Sequence, residues 1–239
     1  MPQTYNILDP KQLRIIEKTH RGFLYQHLFA VGCLLKALSS NVTSIFVERD
    51  EDIEVLKNED NLYIQVKTRS RDLAQSDVET ALDRFDRIRQ QHVSRLRLGS
   101  PHFYVISDAD PNSVLAKKAR DWPGDVLLIT PGSSVPHPEC LPPAWRTIEE
   151  ALEWCKAEAE QIPFKAISAE TLIWKLAAIV QHASAGAGDR REHEFRSSEL
   201  PRLFEQIITD FHRLPDPPKP YRAQEVNQNL LAPYQSVWS

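Results

Sequence analysis

Three side chains with complementary chemistry stand on two short segments of alternating polarity. Asp52 begins the first segment, 52–56, and Gln65 and Lys67 end the second, 62–67. Since successive residues of a strand point to opposite faces, Gln65 and Lys67 share one face. The polar stretch 57–61 lets the segments pair as a hairpin, which brings Asp52 beside them. A carboxylate, an amide oxygen and an ammonium can hold a hard divalent cation and activate its water, although the pattern alone also fits a surface ion pair.

The sequence around these residues resembles the PD-(D/E)xK nuclease superfamily, in the variant where Gln replaces the acid of the (D/E)xK element. It is most similar to the endonuclease modules of bacterial antiphage systems, including the effector nucleases of cyclic-oligonucleotide signalling. The resemblance covers most of the chain and rests on ordered stretches: GFLYQ at 22–26, ERDEDIEV at 48–55, YIQVKT at 63–68, IEEALEWC at 148–155 and LPRLFEQ at 200–206.

The resemblance implies a Mg²⁺- or Mn²⁺-dependent endonuclease that hydrolyses double-stranded DNA. Asp52 would be the main anionic metal ligand, joined by the side-chain oxygen of Gln65 and the carbonyl oxygen of Val66. Lys67 would orient the attacking water or neutralise developing charge. Glu54 completes the candidate catalytic set, because it shares the strand face of Asp52 and can join a second metal ion. Since Gln65 lowers the negative charge of the site, the alternative is a weakly active or inactive nuclease-fold module for DNA binding or assembly.

Two further residues are candidates for supporting this site. Gln26 lies on a helix expected over 20–38 that is apolar nearly all round, and a buried amide needs partners. Those partners are either the polar site or, in the ordinary case, the backbone. Glu48 precedes Asp52 by four residues, and the geometry of the intervening turn decides where it points.

Arginines are concentrated directly after the second strand of the hairpin. We take four of them as candidate DNA-binding residues, because phosphate contacts need such charges: Arg69, Arg71, Arg84 and Arg87. We expect a long helix whose apolar stripe runs from Val78 to Leu96, with Arg84 and Arg87 on its outer face. A solvated helix face is the competing interpretation.

The order of elements predicts an α/β fold, with a restriction-endonuclease-like mixed central sheet flanked by helices and a C-terminal helical appendage. A helix precedes a three-stranded meander, after which strands near 103–106 and 126–129 alternate with helices, so these strands should be parallel neighbours. We expect a nuclease domain over 1–162, an appendage over 163–214 that packs on the sheet or bridges to a partner, and a Pro-rich linker and tail over 215–239.

Composition places the chain among ordinary globular proteins of the cytoplasm. It has 239 residues, a formal net charge of −4, 41% hydrophobic residues and three cysteines in no metal-binding pattern. No apolar run reaches the roughly 20 residues that span a bilayer, so we expect no membrane association. We expect a homo-oligomer, or control by a fused or partner sensor or ATPase domain beyond the Pro-rich tail.

Overall fold

The computed structural model describes residues 9–135, 138–162, 167–187 and 193–212, so the predicted linker and tail lie outside the described residues. Its elements, in chain order, are α1 (Pro10–Ala37), β1 (Val42–Val47), β2 (Ile53–Lys57), β3 (Asp60–Lys67), α2 (Gln75–Val93), β4 (Ser100–Ser107), α3 (Ser113–Lys118), β5 (Val126–Ile129), α4 (Ile148–Ala159), α5 (Ala169–Ser184), β6 (Glu194–Arg196) and α6 (Leu200–His212).

One six-stranded sheet organises the described residues, in the order β5-β4-β3-β2-β1-β6. The meander β1-β2-β3 is antiparallel, whereas β3, β4 and β5 run parallel. Ile53 lies opposite Ile64 and Glu54 lies opposite Tyr63 in the hairpin of β2 and β3. The predicted α/β class with a mixed central sheet is therefore confirmed, and helices cover both faces.

The alternation of β3 decides which face carries polar chemistry. Ile64 and Val66 point into the larger core, which also contains residues of α1, α4 and α5. Tyr63 points into a second core with Phe85 of α2 and Phe103 of β4, all buried. Burying one such side chain contributes about 1.5–3 kcal/mol. A one-residue shift of β3 would move all of these side chains to the wrong face, so the register of the strand is fixed. Gln65 and Lys67 consequently lie on the α2 side of the sheet.

Helix α1 begins ten residues before the predicted start. The Asp9 side chain caps it by accepting hydrogen bonds from the backbone N–H groups of Lys11 and Gln12, each at 3.0 Å, and Pro10 occupies the first turn. Only the second half of α1 is buried, from Tyr25 onward. The apolar stripe used for the prediction could not reveal the exposed first half.

Helix α2 ends at Val93, before the predicted end of its apolar stripe. Ser94 is its C-cap and Arg95 adopts a positive φ of 60°, which turns the chain away. Leu96 is consequently outside the helix and 79% exposed, so its assignment to the core stripe was wrong.

The described residues after 162 are built into the sheet and its core. Strand β6 pairs antiparallel with β1, and Phe195 opposite Ile45 is fully buried. Phe204 of α6 is also fully buried in the larger core. Of the two arrangements considered for this segment, packing on the sheet is the one observed, while the boundary at residue 162 stays a prediction. No helix of the described residues is long and apolar enough to cross a membrane.

Candidate active site

Asp52, Gln65 and Lys67 meet where the hairpin of β2 and β3 ends. The Gln65 amide nitrogen donates to Asp52 Oδ2, and the backbone N–H of Val66 donates to the same oxygen at 2.7 Å. Lys67 lies close enough to Asp52 for their charges to interact. The sequence prediction that the hairpin joins these side chains over one face agrees with this geometry, and their roles stay predictions.

The site is partly buried, which changes its acid–base properties. Burial raises the pKa of Asp52 to about 6, and the Glu48 charge adds to that effect, whereas the bond from Val66 opposes it. Burial also lowers the pKa of Lys67, while the charge of Asp52 opposes the shift. A desolvated carboxyl beside a desolvated amine is an arrangement frequently found at functional sites.

Glu48 and Gln26 form a supporting contact beside Asp52. The amide nitrogen of Gln26 on α1 donates to Glu48 Oε1, so the amide has a side-chain partner. Glu48 has a positive φ of 51°, and its N–H donates to the carbonyl of Asp52 at 3.0 Å, which closes a tight turn between β1 and β2. This turn aims Glu48 at α1 while Asp52 faces Gln65.

Sequence reasoning missed Glu51, which the structure places in the same cluster. Its side chain is buried at 3% exposure, and Arg84 of α2 donates to its two oxygens at 3.0 and 2.9 Å. Arg84 also donates to the amide oxygen of Gln65. Both ends of the Gln65 amide are therefore used, one by Asp52 and one by Arg84. The acidic run at 48–52 was the available signal, but only the packing of α2 shows which acid meets an arginine.

Arg84 does not lie on the outer face of α2, contrary to the sequence prediction. Its guanidinium is turned toward the sheet by the bidentate pair with Glu51, because that buried carboxylate requires a partner. Arg87 does lie on the exposed surface of α2. Arg69 and Arg71 pair with Asp77 at 2.9 and 3.1 Å. DNA binding by these four arginines stays a prediction.

Glu54 is separated from the Asp52 group although it shares its strand face. It is fully buried, and it accepts from Arg49 at 2.7 Å and from the backbone N–H of Asp50 at 2.9 Å. Burial raises its pKa, and the Arg49 charge opposes that shift. Its contacts fix the turn before β2, and among the described residues no hydrogen bond or ion pair joins it to Asp52, Gln65 or Lys67.

Mg²⁺ or Mn²⁺ is the cofactor that the family resemblance implies, and the donor atoms here fit a hard cation. Asp52 supplies a carboxylate, while Gln65 and Val66 supply neutral oxygens. Among the described residues no group of three or more His, Cys, Asp or Glu side chains is arranged to hold a metal ion. Since Mg²⁺ keeps several waters and needs only one or two carboxylates, this oxygen set is sufficient. Ligation by Gln65 requires its oxygen to leave Arg84.

The mixed sheet with helices on both faces, and with the Asp52, Gln65 and Lys67 cluster at the end of its hairpin, defines a restriction-endonuclease-like α/β domain. Residues 17–110 match the family model described as Cap4, dsDNA endonuclease domain. The matched residues contain β1 to β3, α2, β4 and every residue of the cluster. The match confirms the resemblance to the nuclease module of an antiphage defence effector.

Two solved structures are similar to the chain at low identity. The crystal structure of AF1548, a protein of unknown function, is 12% identical, with a TM-score of 0.37, and the alignment covers 79% of this chain and 98% of that one. The Acinetobacter baumannii Cap4 SAVED/CARF-domain containing receptor, solved with the cyclic trinucleotide 3'3'3'-cAAA, is 17% identical, with a TM-score of 0.31. That alignment covers 80% of this chain and 43% of that one. With TM-scores below 0.5, neither similarity supports a statement about function. No curated protein matches the chain.

Proposed function

We propose that this chain is a metal-dependent endonuclease that hydrolyses double-stranded DNA as the effector module of an antiphage defence protein. The observation that carries the proposal is the contact of Asp52 with Gln65, beside Lys67, inside the segment that matches an endonuclease family. Periodicity alone favoured an ordinary surface ion pair. The partial burial of Asp52 and the family match together favour the catalytic interpretation.

The chemistry required is the hydrolysis of a phosphodiester, an anion with a poor leaving group. When bound, a divalent metal ion would polarise the phosphate and lower the pKa of a coordinated water. Asp52, Gln65 and the carbonyl of Val66 are the residues that would hold it. Asp52 is kept in place by the N–H of Val66, so its carboxylate is oriented before substrate arrives.

Lys67 is the cationic group of the proposed mechanism. Because burial favours its neutral form, its ammonium is weakly solvated and its charge acts strongly on a nearby anion. It would neutralise charge that develops on the phosphate, or hold the attacking water by a hydrogen bond.

The engaged amide of Gln65 supports a second candidate function. Its oxygen is bound to Arg84 and its nitrogen to Asp52, so metal binding competes with two existing contacts. A site that rarely releases Gln65 would leave a nuclease-fold module that binds DNA or assembles with little cleavage.

Plasmid cleavage separates the two candidates. Under the first, the whole chain nicks or linearises supercoiled plasmid with Mg²⁺ or Mn²⁺ and stops when EDTA is added, and Asp52→Asn abolishes cutting. DNA binding without cutting in either metal would favour the second candidate. Cutting that continues in EDTA would contradict the metal dependence.

Control through assembly is a further part of the proposal, since an unregulated DNA endonuclease would damage its host. We propose that the chain works as an oligomer or under a sensor or ATPase domain, so that two copies can cut opposite strands. Activity per molecule should then rise with protein concentration and with a fused dimerising domain. Constant activity from dilute to concentrated protein, unchanged by forced dimerisation, would count against this control.

A further inference from the structure

The exposed first half of α1 carries a row of cationic side chains that faces the end of β3. Arg14, Lys18 and Arg21 are spaced by four and three residues, which places them on one side of the helix. They are exposed and line a cleft of about 410 Å³. The opposite wall includes Thr68 and Arg69, which directly follow Lys67.

Close packing fixes the distance between these two walls. A Cβ atom at Gly22 would lie 3.1 Å from Thr68 Oγ1, so glycine lets α1 approach the end of β3. The buried carboxylate of Asp108 joins the walls, since it accepts from the guanidinium of Arg21 at 3.3 Å and from the N–H of Arg69 at 2.8 Å. The cleft is therefore a formed feature of the fold.

The charge of the cleft is opposite to that of the chain. Four cationic residues line it against two acidic ones, although the chain has a formal net charge of −4. One of the acids, Asp108, is buried and already paired with Arg21. The other acid is Glu17. Within the described residues no ion pair or side-chain hydrogen bond occupies Arg14 or Lys18, so both cations are available to a partner.

These cations differ from several arginines that follow β3 in the sequence. Arg84, Arg89 and Arg97 are each paired with a carboxylate of the chain itself, at 2.9, 2.8 and 2.6 Å. A cation in such a pair must give up its partner before it can bind a phosphate, which reduces the net gain. Arg14 and Lys18 on α1 can bind a phosphate without breaking such a pair.

We propose that this cleft binds the phosphate backbone of one DNA strand and leads it to Lys67. The proposal rests on the proposed function and adds the path of the substrate. Charge complementarity selects a polyanion. Residues 68–70 of the cleft wall directly follow Lys67, so the cleft lies at the end of β3 that carries the candidate site. Contacts to phosphate position DNA without reading bases, so the cleft should bind duplexes of any sequence alike.

The test compares two double charge reversals in the whole chain. Arg14→Glu with Lys18→Glu alters the cleft, and Lys175→Glu with Arg202→Glu alters exposed cations on α5 and α6 by the same total charge. Binding of a short fluorescent duplex is measured in EDTA by anisotropy over a range of salt concentrations. Circular dichroism confirms that both variants fold.

Loss of two phosphate contacts should flatten the plot of log affinity against log salt by about two units. Each contact contributes a slope of about 0.9. When salt is lowered from about 1 M to about 0.1 M, the DNA affinity of wild type should therefore rise on the order of 60-fold more than the affinity of the cleft variant. The α5 and α6 variant should bind like wild type. An equal loss in both variants, or normal binding by the cleft variant, would overturn the proposal.

Cleavage by wild type identifies which claim has failed. If wild type cuts plasmid while the cleft variant binds duplex normally, only the substrate path falls. If wild type neither binds nor cuts DNA, the proposed function falls and the substrate path falls with it. Binding of an acidic peptide is measured in the same way. If the cleft variant loses the peptide but still binds DNA, the cleft binds protein rather than DNA and the proposal is overturned.

Discussion

Replacing Glu51 by Gln should reduce the pH dependence of stability, because Glu51 is buried beside the site. Its side chain is 3% exposed, and burial raises its pKa from the ordinary 4.5 to about 7, even though the bond and charge of Arg84 oppose the shift. A carboxyl with a raised pKa binds its proton more tightly in the folded than in the unfolded chain. Its contribution is therefore present below the unfolded pKa and is lost as pH rises from 4.5 through 7.

The size of this effect follows from the two pKa values. One-site linkage gives a fall of about 2 kcal/mol in the free energy of unfolding between about pH 5 and about pH 7.5. Asp52 shifts in the same direction, whereas the lowered pKa values of His27 and His92 act against it, so the wild-type pH dependence is the sum over these groups. Glu51→Gln should remove about 2 kcal/mol of it and leave the remainder.

Urea unfolding at the two pH values, in EDTA, measures the effect. The exposed Glu59→Gln on the turn between β2 and β3 is the matched control and should keep the wild-type pH dependence. If Glu51→Gln also kept the full wild-type pH dependence, the carboxyl of Glu51 would not be the desolvated group that the structure indicates.

Two further pairs of substitutions test the site and the core. Gln65→Glu restores an acid beside Asp52 and should tighten Mn²⁺ binding by about tenfold, roughly 1.4 kcal/mol, whereas Asp52→Asn should weaken it. If calorimetry gave equal Mn²⁺ affinities for wild type and both variants, neither residue would belong to the metal site. Gly32→Ala places a Cβ 2.9 Å from Pro142 Cγ and should cost about 1–3 kcal/mol by overpacking. Gly124→Ala, whose Cβ would meet nothing within 4 Å, should unfold at nearly the wild-type urea concentration, and similar costs for both would contradict the packing.

Sequence patterns predicted those parts of the fold that depend only on residues close together in the chain. The alternation of 52–56 and 62–67 placed Gln65 and Lys67 on one face, as the structure shows. Strand β6 was not predicted. It has three residues, and Phe195 is buried where β6 pairs with β1, a tertiary contact that no sequence window contains.

The contacts of the candidate site were likewise predicted only in part. Gln26 and Glu48 were predicted as supporting residues, and their contact links α1 to the turn before β2. The pairing of Glu51 with Arg84 was not predicted, because it depends on how α2 is rotated about its axis above the sheet. Periodicity assigned Arg84 to the outer face, but a buried carboxylate draws its long side chain inward.

The most direct test of the proposed active site is the cleavage rate of a defined DNA duplex by Lys67→Ala. The matched control is Lys57→Ala, which removes a partly buried lysine of the adjacent strand at the opposite end of the hairpin. With Mg²⁺ present and both variants folded, Lys67→Ala should lose at least about a hundredfold in rate, while Lys57→Ala should cut at nearly the wild-type rate. Undiminished cleavage by folded Lys67→Ala would contradict the assignment of this site.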